Sequence, residues 1–168
     1  AAQTLLGCIT AGGKLLLCGS GTAAAVAQHG AALLVGRFER ERPGLAALVL
    51  GADAITTSLM DAGEASQALA KQVHALGAPG DVLLALTTVS ATPALTAAIH
   101  AAHAKEMAVV ALTGRDGGGW GALLSDETDV LIAVPHDRAA RVHEAHVLVL
   151  HCLCDAVDFQ LLGDQDPV

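Results

Sequence analysis

Residues 14–29 read Lys-Leu-Leu-Leu-Cys-Gly-Ser-Gly-Thr-Ala-Ala-Ala-Val-Ala-Gln-His, and the fold class can be inferred from this stretch outward. Its first five residues are a short, almost continuous apolar run ended by glycines, which is typical of a buried strand that enters a tight turn. The Ala-rich segment that follows, residues 23–35, predicts a helix. A strand, a glycine turn and a helix in this order indicate the first unit of an α/β domain.

The same alternation continues along the chain. We predict further strands at 45–50, 81–86, 107–112 and 130–134, and helices at 1–11, 64–76, 93–104, 120–124 and 137–162, with an irregular segment at 51–63. Because the strands are apolar throughout, they favour a parallel sheet that is covered on both faces. The predicted fold class is therefore α/β, a three-layer, doubly wound, five-stranded parallel sheet in one domain over residues 1–168. The first residues read as the middle of a helix, so we expect an N-terminal helical segment to be missing.

Composition excludes several classes of protein. With 9 Lys and Arg against 17 Asp and Glu, the net charge is −8 and aromatic residues are only 2%, so neither a basic footprint nor a stacking platform for nucleic acid is expected. A hydrophobic content of 53% argues against disorder, and the absence of an uncharged apolar run of about 18 residues argues against a membrane span. The four cysteines predict reduced thiols, and hence a cytoplasmic protein.

Two strand-to-helix turns have the composition of an anion site. The first contains Ser20, Gly21 and Thr22, and the hydroxyl-rich second turn contains Thr87, Thr88, Ser90 and Thr92. Ligands of open parallel sheets bind outside the carboxyl ends of the strands, and helix N-termini there attract anions. Each turn alone is better explained by ordinary capping and turn chemistry, but the two together favour a phosphate group.

The eight histidines are many for an acidic chain of this size. His29 follows the first turn, and His143 and His151 lie in the last predicted helix. The eight residues between the last two correspond to about 12 Å of helix rise, whereas metal–nitrogen bonds are about 2 Å. Either a second subunit supplies one of them to a metal ion, or one of them is not a ligand.

The chain resembles the SIS (sugar isomerase) domain family, in the branch that holds phosphoheptose isomerase and the DnaA-initiator-associating protein. The resemblance is carried jointly by residues 18–29, 36–44, 70–77, 80–86, 109–118, 141–146 and 150–155. It implies a flavodoxin-like fold, a homotetramer or homodimer, and a sugar phosphate site shared between subunits.

The resemblance also implies roles for single residues. In the family, a Glu four residues after the histidine at the position of His29 is the catalytic base, and the histidine at the position of His151 is the acid. Zinc is held there by these residues and a Gln that corresponds to His143, so His29, His143 and His151 become candidate zinc ligands. Asp61 and Arg37 match an Asp and an Arg near the family's site. The position of the base, however, is Leu33, which neither takes up a proton nor binds a metal.

Two functions follow from this comparison of residues. Because Leu33 removes the base, the sequence favours a non-catalytic regulator of replication initiation, which binds the initiator protein DnaA. The alternative is a phosphoheptose isomerase of lipopolysaccharide-precursor synthesis, with His151 as the acid and a substitute base or zinc-bound water. The retained histidines at positions 29 and 151 support the alternative.

Overall fold

The structure is a computed structural model that describes residues 1–51 and 53–163. Ala52, within the segment predicted to be irregular, and residues 164–168, at the end of the predicted domain, lie outside the described residues. Strands and helices follow each other in the order α1 (Ala2–Thr10), β1 (Leu15–Gly19), α2 (Ala23–Val35), β2 (Ala47–Val49), α3 (Ala54–Asp61), α4 (Ala68–Leu76), β3 (Val82–Leu86), α5 (Pro93–Ala104), β4 (Ala108–Thr113), β5 (Val130–Ala133) and α6 (Ala139–Leu162).

The five strands form a parallel sheet in the order β2-β1-β3-β4-β5. The predicted fold class is therefore confirmed. The order reverses between β1 and β3, where Leu17 pairs with Leu84. In a sheet of this kind, the loops that follow these two strands diverge and leave a crevice for a ligand.

Both faces of the sheet are covered, and the residues of β1 alternate between them. Leu15 and Leu17 pack with α1, α2 and α6, whereas Leu16 and Cys18 pack with α4, α5 and Trp120. Successive side chains of a strand point to opposite faces, so a strand buried on both sides is apolar at every position. This requirement explains the continuous apolar runs in the sequence.

Two predicted segments differ from the structure. Residues 51–63 were predicted to be irregular, but they contain α3, whose N-terminus is capped by the Asp53 carboxylate, which accepts a hydrogen bond from the Thr56 N–H at 2.8 Å. The predicted helix at 120–124 is wrong. A short 3-10 turn at Gly117–Gly119 precedes this segment. Trp120 is buried against α5, and its indole N–H donates to the Thr96 hydroxyl.

Helix α6 packs against α1 and α2 with a stripe of buried residues that includes Leu150, Cys154 and Val157. By length and composition it is the one helix of the described residues that could cross a bilayer, and a helix in a protein core meets the same criteria. The test is thus weak evidence for a membrane span. Cys152 is exposed and Cys154 is buried, as two residues on different faces of one helix must be.

Candidate functional site

The first turn is held tight by its glycines. A Cβ on Gly19 would lie 2.5 Å from the carbonyl group of Ala23, and Gly21 has a φ of +56°. The Ser20 N–H donates to the carbonyl of Leu86 at 3.1 Å, which ties the turn to β3. Ala23, Ala24 and Ala25 donate their N–H groups to carbonyls of the turn itself. Fewer backbone donors therefore face an anion than the sequence suggested.

The second turn divides its hydroxyl groups between two tasks. Thr87 is fully buried, and its hydroxyl donates to the carbonyl of Val89 at 3.0 Å, so it stabilises the loop from inside. Thr92 caps α5 by accepting a hydrogen bond from the Leu95 N–H at 3.3 Å. Thr88 is half-buried and Ser90 is exposed. The hydroxyls available to a ligand in this turn are thus those of Thr88, Ser90 and, in part, Thr92.

Two cavities open at the carboxyl ends of the strands. One, of about 300 Å³, lies at the switch between β1 and β3 and brings Ser20 and Thr92 together with Thr56 of α3. The other, of about 210 Å³, takes in Thr88, Ser90, Arg115 and residues near Asp137. The structure therefore brings the two predicted turns to one cavity through Ser20 and Thr92, and directs the rest of the second turn into a neighbouring strand-end cavity.

Arg37 and Asp61 stand apart from both cavities. Arg37 is exposed after α2 and forms an ion pair with Glu41. Asp61 is exposed at the end of α3, although Thr56 and Met60 of the same helix line the switch-point cavity. Within the described single chain, neither residue is brought to the cavities.

His29 and His151 are brought into direct contact. Their Nε2 atoms lie 2.8 Å apart, and the ring centroids are separated by 5.1 Å. Phe38, from the connection after α2, packs on His151 with a centroid distance of 5.4 Å. A neutral imidazole has one N–H and one bare nitrogen, so at this distance one Nε2 donates to the other. The pair combines a proton donor and a proton acceptor at one point.

Leu33 lies one helical turn after His29, is half-buried and packs against the core. It brings no proton acceptor to the pair. His146, one turn after the half-buried His143 and wholly buried, donates its Nε2–H to the carbonyl of Thr113 at 3.1 Å. Burial lowers the pKa of His146, so this side chain is a neutral part of the core.

Zinc would need more ligands than one chain provides. Within residues 1–51 and 53–163 no group of three or more His, Cys, Asp or Glu side chains is placed to hold a metal ion. Two nitrogens on one tetrahedral zinc, each at about 2.0–2.1 Å, lie roughly 3.3 Å apart. The 2.8 Å between His29 and His151 is the spacing of a hydrogen bond instead. The donor set of a single chain therefore does not fit a zinc site.

A buried ion pair between the connection after α2 and helix α6 could not be predicted from the sequence. Arg42, which lies in the stretch 36–44 that carries part of the family resemblance, contacts Asp158 of α6 with Nε and Oδ1 at 2.5 Å. Both side chains are buried, at 1% and 2% exposure. The signal in the sequence was Asp158, an acidic residue among the apolar positions of the last helix. A buried carboxylate there requires a partner.

Comparison with known proteins bears on the fold and the family. A model of the SIS domain matches residues 1–114. A protein named phosphoheptose isomerase from Methylibium petroleiphilum is 61% identical over 99% of this chain and 83% of its own length, and one from Aromatoleum aromaticum is 52% identical over 99% and 84%. The solved structure of phosphoheptose isomerase GmhA from Neisseria gonorrhoeae is 43% identical with a TM-score of 0.86, over 94% of this chain and 82% of its own.

These findings correct the expected function. The sequence favoured a non-catalytic partner of DnaA because Leu33 occupies the position of the base. Relatives at 50–61% identity over nearly the whole chain are instead named phosphoheptose isomerase, and a structure of that name from Francisella tularensis superposes with a TM-score of 0.88 at 40% identity. The regulator interpretation is therefore wrong. On the matched model and these relatives together, the chain belongs to the SIS domain family, among proteins named phosphoheptose isomerase.

Proposed function

We propose that the protein is a phosphoheptose isomerase, which interconverts sedoheptulose 7-phosphate and a heptose 7-phosphate. The observation that carries this proposal is the contact of 2.8 Å between His29 and His151, since an aldose–ketose isomerisation needs an acid and a base at one place. The names of relatives at 50–61% identity support the choice of substrate.

The reaction is a pair of balanced proton transfers. The base takes a proton from the hydroxymethyl carbon next to the ketone, while the acid protonates the ketone oxygen, which yields an enediol. The second half returns the carbon proton to the neighbouring carbon and removes the proton from the other oxygen. We assign the carbon proton to His29 and the oxygen protons to His151. Each ring is restored at the end, so no other reactant is needed.

His29 takes the place of the family's carboxylate in this proposal. Leu33 stands where that carboxylate is expected and has no titratable group. His29 is in hydrogen-bond contact with the acid and is exposed, so a substrate can reach it. An imidazole is the side chain most often used as a general base near neutral pH.

The phosphate group is proposed to bind at the turns. Ser20 and Thr92 share the cavity at the switch between β1 and β3, with the exposed Gly21 and Thr22 beside them. Thr88 and Ser90 provide further hydroxyls in the neighbouring strand-end cavity. The N-terminus of α5, where Thr92 and Pro93 begin the helix, adds a favourable dipole for an anion.

The assembly and the compartment are proposals too. Large apolar side chains are exposed on the outer face of α6, among them Leu148 at 63% and Phe159 at 45%, which favours a homodimer or homotetramer. Zinc binding and action in the cytoplasm are further proposals; zinc would need ligands from a second copy, because one described chain does not bring three together. Light scattering of the purified protein tests the assembly, and metal analysis tests zinc binding.

The experiment that tests the function is a turnover assay of the complete protein with sedoheptulose 7-phosphate, with and without added zinc, followed by the appearance of heptose 7-phosphate. We expect turnover without added zinc. A protein that is folded and oligomeric but gives no product under either condition would refute the proposal.

A further inference from the structure

The connection between α2 and β2 folds back over the end of α2. The Leu45 N–H donates to the carbonyl of Leu34 at 2.9 Å, and Gly44 lies so close that a Cβ there would be 2.4 Å from the carbonyl oxygen of Val35. This course carries the side chain of Arg42 into the junction between the end of α2 and the surface of α6.

The Arg42 guanidinium joins the two helices directly. Its Nη2 donates to the carbonyl of Leu33 at 2.9 Å and its Nη1 to that of Leu34 at 2.8 Å, both in the last turn of α2, where carbonyls lack helical partners. Its Nε donates to the Asp158 carboxylate of α6 at 2.5 Å. One rigid, planar group therefore fixes the last turn of one helix against a point on the other.

Leu33 lies on the same side of α2 as His29, and Asp158 lies on the same side of α6 as His151. Leu33 is four residues after His29, which is one turn of α2, and Asp158 is seven residues after His151, which is two turns of α6. Residues at these spacings return to the same side of a helix. Arg42 therefore joins α2 and α6 one turn from His29 on the first helix and two turns from His151 on the second.

Stability alone is a weak explanation for this pair. Buried ion pairs contribute little net stability compared with apolar residues of similar volume, and Asp158 Oδ2 has no hydrogen-bond partner in the described part of the chain. A fixed geometry is what the guanidinium provides.

We propose that Arg42 and Asp158 are positioning residues, which hold α2 and α6 in the arrangement that brings His29 into hydrogen-bond contact with His151. The proposal rests on the proposed function only for its kinetic readout. Displacement of a reacting group by about 1 Å costs up to about 10²-fold in rate, so a small shift of either helix is enough to affect turnover.

The test compares Arg42→Lys with Asp81→Asn. The first replaces the planar guanidinium by a single ammonium group, which cannot reach the two carbonyls and the Asp158 carboxylate at once. The second breaks the Lys14–Asp81 pair just before β1 and β3, at the amino ends of these strands, and serves as a control for loss of stability without loss of positioning. Asp158→Asn is made as well, because it keeps the volume of the carboxylate if Arg42→Lys does not fold.

Two readouts are measured on the complete protein. In Arg42→Lys, kcat is expected to fall at least about tenfold while KM stays within about threefold, since the phosphate turns lie on other elements. The nitrogen–nitrogen scalar coupling across the His29–His151 hydrogen bond, seen by NMR with labelled histidine, is expected to disappear. Asp158→Asn is expected to act in the same direction, and Asp81→Asn to keep both readouts.

The outcomes separate this proposal from the proposed function. If the folded Arg42→Lys and Asp158→Asn proteins keep kcat and the coupling, or if Asp81→Asn loses them equally, the positioning role is overturned. If the natural chain gives no turnover but its histidine coupling is lost on Arg42→Lys, the positioning role stands and the proposed reaction fails.

Discussion

The Nε2 atoms of His29 and His151 lie 2.8 Å apart, although 122 residues separate the two histidines in the chain. One comes from the helix after the first strand and the other from the last helix, and both helices cover the same face of the sheet. Their contact places a hydrogen-bond donor and an acceptor side by side, which the proposed isomerisation would use as acid and base. Because Leu33 cannot act as a base, the proposed reaction depends on this pair.

Leu33→Glu is expected to raise kcat. Leu33 lies one turn after His29 on α2, so a carboxylate there adds a second proton acceptor beside the histidines. A positioned base contributes about 10²–10⁴-fold, and we expect a gain toward the lower end because His29 is already the base in the proposed reaction. Steady-state kinetics with sedoheptulose 7-phosphate measures it.

Leu33→Gln is the matched control, since it has the same shape as the glutamate variant without a titratable group. An equal gain in both variants would mean that polarity, and not a base, is responsible. No gain from Leu33→Glu in a folded protein would show that position 33 does not reach the substrate.

Gly19→Ala is expected to damage the first turn. The new Cβ would lie 2.5 Å from the backbone of Ala23, so the turn must move. We expect a loss of about 1–3 kcal/mol in the free energy of unfolding, as for other overpacked sites. KM for the sugar phosphate is expected to rise as Ser20 is displaced. Urea unfolding and steady-state kinetics measure the two effects.

Gly7→Ala is the control for Gly19→Ala. Gly7 lies within α1 and has nothing within 4 Å of an added Cβ, so alanine there is expected to stabilise the helix by about 0.5–1 kcal/mol. Equal stability and equal KM of the two alanine variants would contradict the role given to Gly19.

Asp81 is expected to make the protein sensitive to acid. Burial acts to raise the pKa of Asp81, but hydrogen bonds from the Lys14 side chain, the Lys14 N–H and the Ala78 N–H outweigh it and lower the pKa below the ordinary value of 3.8. A lowered pKa in the folded state gives stability that is present above 3.8 and is lost as the pH falls through the folded pKa.

Asp81→Asn should therefore lose about 1–3 kcal/mol of unfolding free energy at neutral pH and show a weaker decline toward pH 3. Urea melts at several pH values measure both. Asp61→Asn, which changes an exposed carboxylate, should stay within about 0.5 kcal/mol of the natural chain. The prediction is wrong if the two variants have the same stability and the same pH dependence.

Much of the fold could be predicted because local patterns determine it. The run from Leu15 and the glycines after it identified a buried strand and its turn, and Thr92 with Pro93 marked the start of α5. Helix α3 was missed because Thr56, Thr57 and Ser58 are weak helix formers, which are held here by the Asp53 cap and by packing against α4.

The site was harder to predict, because it depends on contacts between distant residues. The side chain of Thr87 is buried because its hydroxyl donates to a carbonyl of its own loop. The composition of the turn does not reveal this orientation. The link from Arg42 to Asp158 spans 116 residues. The consequence of Leu33 for function was likewise not predictable, since the sequence alone does not show that His29 touches His151.

The kcat of His29→Gln decides whether His29 supplies the base. Glutamine keeps polarity and similar size but cannot take up a proton, and the assay is made beside His151→Gln and the natural chain with sedoheptulose 7-phosphate. We predict that each variant loses about 10²–10⁴-fold in kcat, with little further loss in the double variant because the two histidines act as a unit. If folded His29→Gln keeps the kcat of the natural chain, the base lies elsewhere and the account is contradicted.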